Sequence, residues 1–214
     1  MPNQFDWKPY ARKLRWVEAV LARRRGSARA RFLEKVIPKG GIGAEIGVYK
    51  GHFTRFILDA AAPEQLHLID PWYLLGERWD WADGNQSTID ALVGVLRSYA
   101  TELTCGRAVL HVDYDLDVLP TFPDDFFDWV YLDSSHGYEH SVKELELLAT
   151  KVKAGGVIAG DDWQTDPAHV HHGVCRAVRE FIAREPYDLM YANDSDKQWA
   201  IRHSDGHPTA ANTG

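Results

Sequence analysis

Asp133 stands three residues before His136 in Asp133-Ser134-Ser135-His136-Gly137-Tyr138, and further on Asp161 and Asp162 are followed by Trp163. Carboxylates brought together repel unless a proton or a cation lies between them. Hard oxygen donors with room for water suit Mg²⁺, and also Mn²⁺ or Ca²⁺. The same residues have a plainer use, with Asp162 capping a turn and Asp161 accepting backbone amides. An imidazole exchanges its proton near neutral pH, which makes His136 a candidate general base. Its plainer reading is a loop histidine bonded to a backbone carbonyl.

Upstream lies Glu45-Ile46-Gly47-Val48-Tyr49-Lys50-Gly51. Glycine at 47 and 51 lets a backbone turn sharply and approach a ligand closely. The spacing fits poorly to the Gly-x-Gly-x-x-Gly dinucleotide fingerprint. Glu45 would repel a pyrophosphate and would accept from a cationic amine instead. Asp70, in Ile69-Asp70-Pro71-Trp72, follows the glycine turn by about the interval at which a carboxylate takes ribose hydroxyls. It could also cap the turn before Pro71. Asp113 reads equally as a partner for an adenine amine and as a loop carboxylate.

These residues need a frame. Apolar runs at 42–48, 66–69, 108–112, 129–132 and 157–159 alternate with helical patterns at 51–61, 89–103, 141–152 and 174–184. Gly155-Gly156 reads as the stop of the third of these helices. Strands alternating with helices predict a parallel sheet covered on both faces, with ligands outside the carboxyl ends of its strands. Each candidate residue follows or ends a predicted strand. Residues 187–191 and 198–201 read as two strands joined by Asn193-Asp194-Ser195-Asp196, an antiparallel hairpin at one edge. Residues 1–39 form a basic helical arm, with helices at 10–25 and 28–36. Residues 40–203 form the α/β domain and 204–214 a tail.

Composition narrows the partners. The net charge of −7 divides unevenly, with eleven Lys/Arg against three Asp/Glu in residues 1–40, which leaves about −15 on the remainder. So acidic a body does not suit a polyanion, and no nucleic-acid partner is expected. The basic arm reads as a solvated face, or as docking on its own acidic body or on a second subunit, which admits a homo-oligomer. Cys105 and Cys175 form no metal or disulfide pattern, and there is neither an apolar leader nor a spanning run. The expectation is a cytoplasmic protein without membrane contact.

Together, Glu45-x-Gly47-x-x-x-Gly51, Ile69-Asp70-Pro71-Trp72, Asp133-Ser134-Ser135-His136-Gly137-Tyr138 and Gly155-Gly156-Val157-Ile158-Ala159-Gly160-Asp161-Asp162-Trp163 resemble class I S-adenosylmethionine-dependent methyltransferases. They look closest to the bacterial small-molecule branch with macrocin-type sugar O-methyltransferases. The resemblance spans about residues 40–203. It implies a Rossmann-like three-layer α/β sandwich, a seven-stranded sheet, mostly parallel, whose last strand is reversed. It implies that Glu45, Gly47 and Gly51 line the methionine and ribose side of S-adenosylmethionine, and that Asp70 holds the ribose. It also implies that Asp133, Asp161 and Asp162 bind Mg²⁺ and that His136 is the base. The acceptor would be a hydroxylated small molecule and the product S-adenosylhomocysteine. Metal-independent methyl transfer to another acceptor is the alternative within this class. An NAD(P)-dependent oxidoreductase, disfavoured by Glu45, and a non-catalytic cofactor-binding module are the alternatives outside it. The stretch Trp72–Gln86, with Trp72, Tyr73, Trp79 and Trp81, reads as a lid over the acceptor or as an aromatic packing patch. His169, His171 and His172 suit a transition metal or, more plainly, a polar loop.

Overall fold

A computed structural model of the chain describes residue 29 and residues 31–78 and 85–204. Most of the basic arm, Trp79, Trp81 and the tail beyond residue 204 lie outside the described residues. The end of an N-terminal helix, α1, runs to residue 36, just ahead of Pro38. Then follow β1 (Ile42–Ile46), α2 (Thr54–Ala60), β2 (Gln65–Ile69), a 3₁₀ helix (Trp72–Arg78), α3 (Asn85–Ser98), α4 (Ala100–Thr104) and β3 (Ala108–His111). The second half holds α5 (Asp115–Val118), a 3₁₀ turn (Leu119–Thr121), β4 (Phe127–Leu132), α6 (Tyr138–Lys151), β5 (Val152–Gly160), α7 (His172–Ile182), β6 (Tyr187–Asn193) and β7 (Gln198–His203).

The seven strands form one sheet in the order β3-β2-β1-β4-β5-β7-β6. β1 to β5 are parallel, and β7 runs antiparallel to both β5 and β6. The chain leaves β1 toward β2 and β3, then returns to lay β4 on the other side of β1. That reversal puts a crevice at the carboxyl ends of β1 and β4, where open α/β sheets bind ligands.

The alternation of a strand's side chains builds two cores. Leu66, Leu68, Trp129, Tyr131, Val157 and Ala159 face α1, α2 and α3. Ala44, Ile46, Val130, Leu132, Ile158 and Ile201 face α5, α6 and α7. Gly43 makes room for the first core, since a Cβ there would lie 2.2 Å from the Trp129 ring.

Three sequence expectations are corrected. Gly155-Gly156 does not stop a helix. α6 already ends at Lys151, and the glycines lie within β5, where the pairing with β4 shifts register between Phe127 and Trp129. The helix expected over 89–103 breaks at Tyr99, which leaves helical geometry at φ −115°. Its hydroxyl reaches back 2.5 Å to donate to the Gly51 carbonyl, so tertiary bonding overrides local propensity. Trp72 is no lid residue, because it is fully buried and donates to the Tyr49 carbonyl at 2.8 Å. Among the described residues no helix is long and apolar enough to cross a membrane.

A buried histidine, paired with a half-buried one, gives the fold a pH limit. His67 Nδ1 lies 2.9 Å from His111 Nε2, and the rings of Phe122 and Phe126 stand over His67. Burial, and then the neighbouring His111, lower His67 from 6.5 to about 4. A depressed imidazole leaves the unfolded chain binding more protons between those values, so stability is full above about 6.5 and falls as pH drops toward 4. Urea midpoints measured across that window should decline for the wild type. For His67→Leu the decline should be shallower.

Candidate functional site

β1, β4 and β5 lie side by side and end together. Asp133 N donates to the Ile46 carbonyl and Asp161 N to the Leu132 carbonyl, so the ladder itself brings the three strand ends into one place. The glycine turn after β1 is pressed against the end of β4. Gly47 has φ +88°, and a Cβ there would lie 2.0 Å from the Asp133 carbonyl oxygen. Only glycine fits, both for the backbone angle and for the approach.

Asp70 organises that turn from below. One of its oxygens accepts from the amides of Val48 and Tyr49, each at 2.9 Å, and the other from Trp72 N at 2.7 Å. The turn-capping reading of Asp70 is therefore realised. A carboxylate has about four acceptor directions, so one is left for a ligand. Glu45 is buried and accepts from the Thr54 hydroxyl at 2.6 Å. Burial pushes its carboxyl up to about 8, against the pull of Thr54. A group so raised is ready to ionise when a cation arrives. Asp113 is exposed and accepts from its own neighbour, Tyr114 N, at 2.8 Å, with acceptor directions to spare.

Asp133, Asp161 and Asp162 converge, each with an oxygen within 4.8 Å of the others. A cation from the chain is already among them. Arg29, on α1, donates to Asp133 Oδ2 at 2.8 Å through Nη1 and pairs with Asp161 Oδ2 through Nη2. Its guanidinium stands over the Phe53 ring, 5.2 Å from the centroid. Burial pushes the Asp133 carboxyl up, and Arg29 opposes that shift. For this residue of the basic arm, docking on the chain's own acidic body is what the structure shows.

Asp162 turns the other way. Its Oδ2 lies 3.1 Å from His136 Nδ1 and 3.8 Å from His171 Nδ1, and Lys197 Nζ is 3.9 Å from Oδ1. Its backbone is left-handed, at φ +60°. The three downstream histidines do not form a cluster of their own. His172 Nδ1 faces the Gln164 carbonyl, and His169 Nδ1 accepts from the His171 amide. Only His171 reaches the site, its ring edge-on to His136 at 4.9 Å.

Two supporting groups escaped the sequence reading. Gln198, fully buried on β7, donates to Asp161 Oδ1 at 2.5 Å and accepts from the Tyr131 hydroxyl at 2.8 Å. That relay fixes the Asp161 carboxylate. Below Ser134, Asp115 Oδ2 lies 2.7 Å from His140 Nε2, and the Ser134 hydroxyl donates to buried Glu144. Burial, and then Asp115, hold the Glu144 carboxyl well above its ordinary range. Glu144 lies on the buried face of α6 with Ser141, Leu145 and Leu148.

The methyltransferase-domain family matches residues 44–163, the glycine turn through Trp163. The chain belongs to the S-adenosylmethionine-dependent, class I methyltransferases. No curated protein sequence matches it significantly. Solved structures share the fold at low identity. A protein from Corynebacterium glutamicum is 14% identical with a TM-score of 0.60, the match covering 94% of this chain and 99% of that one. A protein from Clostridium thermocellum described as an rRNA methylase is 11% identical, with a TM-score of 0.55 over 82% and 95% of the two chains. A Streptococcus mutans protein described as a methyltransferase, solved in complex with SAH, is 12% identical, with a TM-score of 0.53 over 82% and 94%. The family match spans both the glycine turn and the acidic centre of this methyltransferase.

Gln198 offers a direct check on the relay. Gln198→Leu leaves the Asp161 carboxylate and the Tyr131 hydroxyl buried without their partner, which should destabilise the fold by about 1–3 kcal/mol. Urea denaturation at neutral pH measures it. An unchanged midpoint would remove the relay from the account of the site.

Proposed function

We propose that this methyltransferase methylates a hydroxyl of a small molecule, a sugar or another hydroxylated natural product, with His136 as general base. The observation that carries the reading is the 3.1 Å contact between His136 Nδ1 and Asp162 Oδ2, at the carboxyl ends of adjacent strands. A carboxylate beside Nδ1 favours the proton there, which leaves Nε2 as the proton acceptor, and it stabilises the imidazolium that forms. Amine acceptors have less need of such a base, and the acidic body disfavours a polyanionic one.

Bound S-adenosylmethionine supplies a methyl group made electrophilic by its sulfonium. The cradle at Gly47, which a Cβ would fill, and the buried Glu45 carboxyl suit such a ligand at its backbone and cationic parts. We assign Gly47 and Gly51 to the close approach, Glu45 to the cationic end, Asp70 through its remaining acceptor direction to the ribose, and Asp133 to the edge where cofactor and acceptor meet. Asp113 stays as the adenine-side residue of this assignment.

The donor set of Asp133, Asp161 and Asp162 is all-oxygen and gathered closely, which in its chemistry suits a hard divalent cation such as Mg²⁺. There it would supply Lewis acidity to an acceptor hydroxyl. The protein's own share is orientation. Gln198 directs Asp161, Asp162 directs His136, and His136 Nε2 takes the acceptor proton as the oxygen attacks in line, which is proximity catalysis.

His136→Ala should lower kcat by about 10²–10⁴-fold on a hydroxylated acceptor, with S-adenosylhomocysteine affinity and thermal stability held. Turnover near the wild-type rate in a folded variant would end the base assignment. A second expectation concerns Glu45. Its carboxyl is raised to about 8, so taking up a cationic ligand near pH 7 should expel up to about one proton. Calorimetric titration with S-adenosylhomocysteine in buffers of different ionisation enthalpy reads that proton directly. Glu45→Gln should abolish its release and weaken binding.

A further inference from the structure

The acidic centre contains a feature that the proposed reaction does not use. Arg29 comes from α1, about a hundred residues away in sequence from the carboxylates that it bridges. Its two terminal nitrogens pair with Asp133 Oδ2 and Asp161 Oδ2, and both carboxylates belong to the trio that converges within 4.8 Å. The third, Asp162, is committed to His136 and lies near His171 and Lys197. The Phe53 ring under the guanidinium and the Gln198 amide on the far oxygen of Asp161 hold the arrangement from two sides.

Two cations at these oxygens would compete. A divalent ion ligated by Asp133 and Asp161 would bring its charge against the guanidinium in a partly buried place, where repulsion is weakly screened. It would also draw on the oxygens that the guanidinium now pairs with. A planar guanidinium that already bridges two carboxylates does for them what an ion would do, neutralising their repulsion and fixing their directions.

We propose that Arg29 is an internal cation occupying the divalent-metal position of the acidic centre, so that the guanidinium and a metal ion are alternative occupants and Arg29 sets how strongly the protein takes up metal. This rests on the assignment of Asp133, Asp161 and Asp162 as the metal-holding set. Metal uptake then requires Arg29 to leave, and the end of α1 that carries it is coupled to the state of the centre. Removing the guanidinium leaves two carboxylates crowded beside a third and creates a tighter divalent site.

The test is Mn²⁺ binding to the full chain, followed by the electron paramagnetic resonance of free Mn²⁺, which needs no turnover and no acceptor. Arg29→Met should bind one Mn²⁺ at least about tenfold more tightly than the wild type. Adding Asp161→Asn to that variant should remove the gain. Thermal unfolding and S-adenosylhomocysteine binding check that the variant is folded. If Arg29→Met does not fold, Arg29→Gln serves. Independently of any variant, the side-chain N–H signal of Arg29 in wild-type protein labelled with ¹⁵N-arginine should move as Mg²⁺ is added. Equal Mn²⁺ affinity in wild type and variant, or an Arg29 signal unmoved by saturating Mg²⁺, would overturn the inference and leave the metal assignment standing. Absence of Mn²⁺ binding in both proteins would overturn the metal assignment and the inference with it, and would leave His136-dependent methyl transfer untouched.

Discussion

Negative charge crowded at the ends of adjacent strands is the constraint around which this protein is arranged. The parallel ladder places Asp133 and Asp161 at neighbouring strand ends through their own backbone amides, bonded to Ile46 and Leu132, and so brings their carboxylates close. Compensation therefore has to be brought in. Arg29 comes from the N-terminal helix, Gln198 from the last strand, and His136 and Lys197 from loops on either side. The parts of the chain that are farthest apart in sequence meet here because the charge needs them here.

The glycine turn belongs to the same economy of space. Gly47 lies against the Asp133 carbonyl with no room for a side chain, and Asp70 gathers the turn's amides from beneath. The cofactor half and the acidic half of the crevice thus share a wall. Tyr99 closes the first half from behind by bonding the Gly51 carbonyl, at the expense of a continuous helix.

The fold was largely legible in the sequence because its signals are local. Short apolar strands alternating with amphipathic helices, and acidic residues just past the strands, both follow from burial of a parallel sheet on two faces. The boundaries that failed were those set by distant partners. Tyr99 breaks its helix for a carbonyl some fifty residues back, and Gly155-Gly156 fall in a strand because of a register shift against β4. The site was legible as a set of carboxylates and less so as a set of pairings. Sequence order places Asp162 beside Asp161, but the left-handed backbone at Asp162 sends the two side chains to different partners, one to His136 and the other to Gln198 and Arg29. Arg29 was one cation among the eleven of a basic stretch, and nothing in that run marks it out from the others.

The position of β7 carries a consequence for the making of the protein. It follows β6 in sequence and is the last strand among the described residues, yet it pairs directly with β5 and hands Gln198 to Asp161. While a ribosome is still adding those residues, the nascent domain holds β1 to β5 with the β5 edge open and the Asp161 carboxylate and Tyr131 hydroxyl without their relay. The acidic centre is complete only once β7 has been made. A chain nicked before residue 198 would be an unfinished sheet with a sticky margin, a target for quality-control proteases rather than a weaker enzyme.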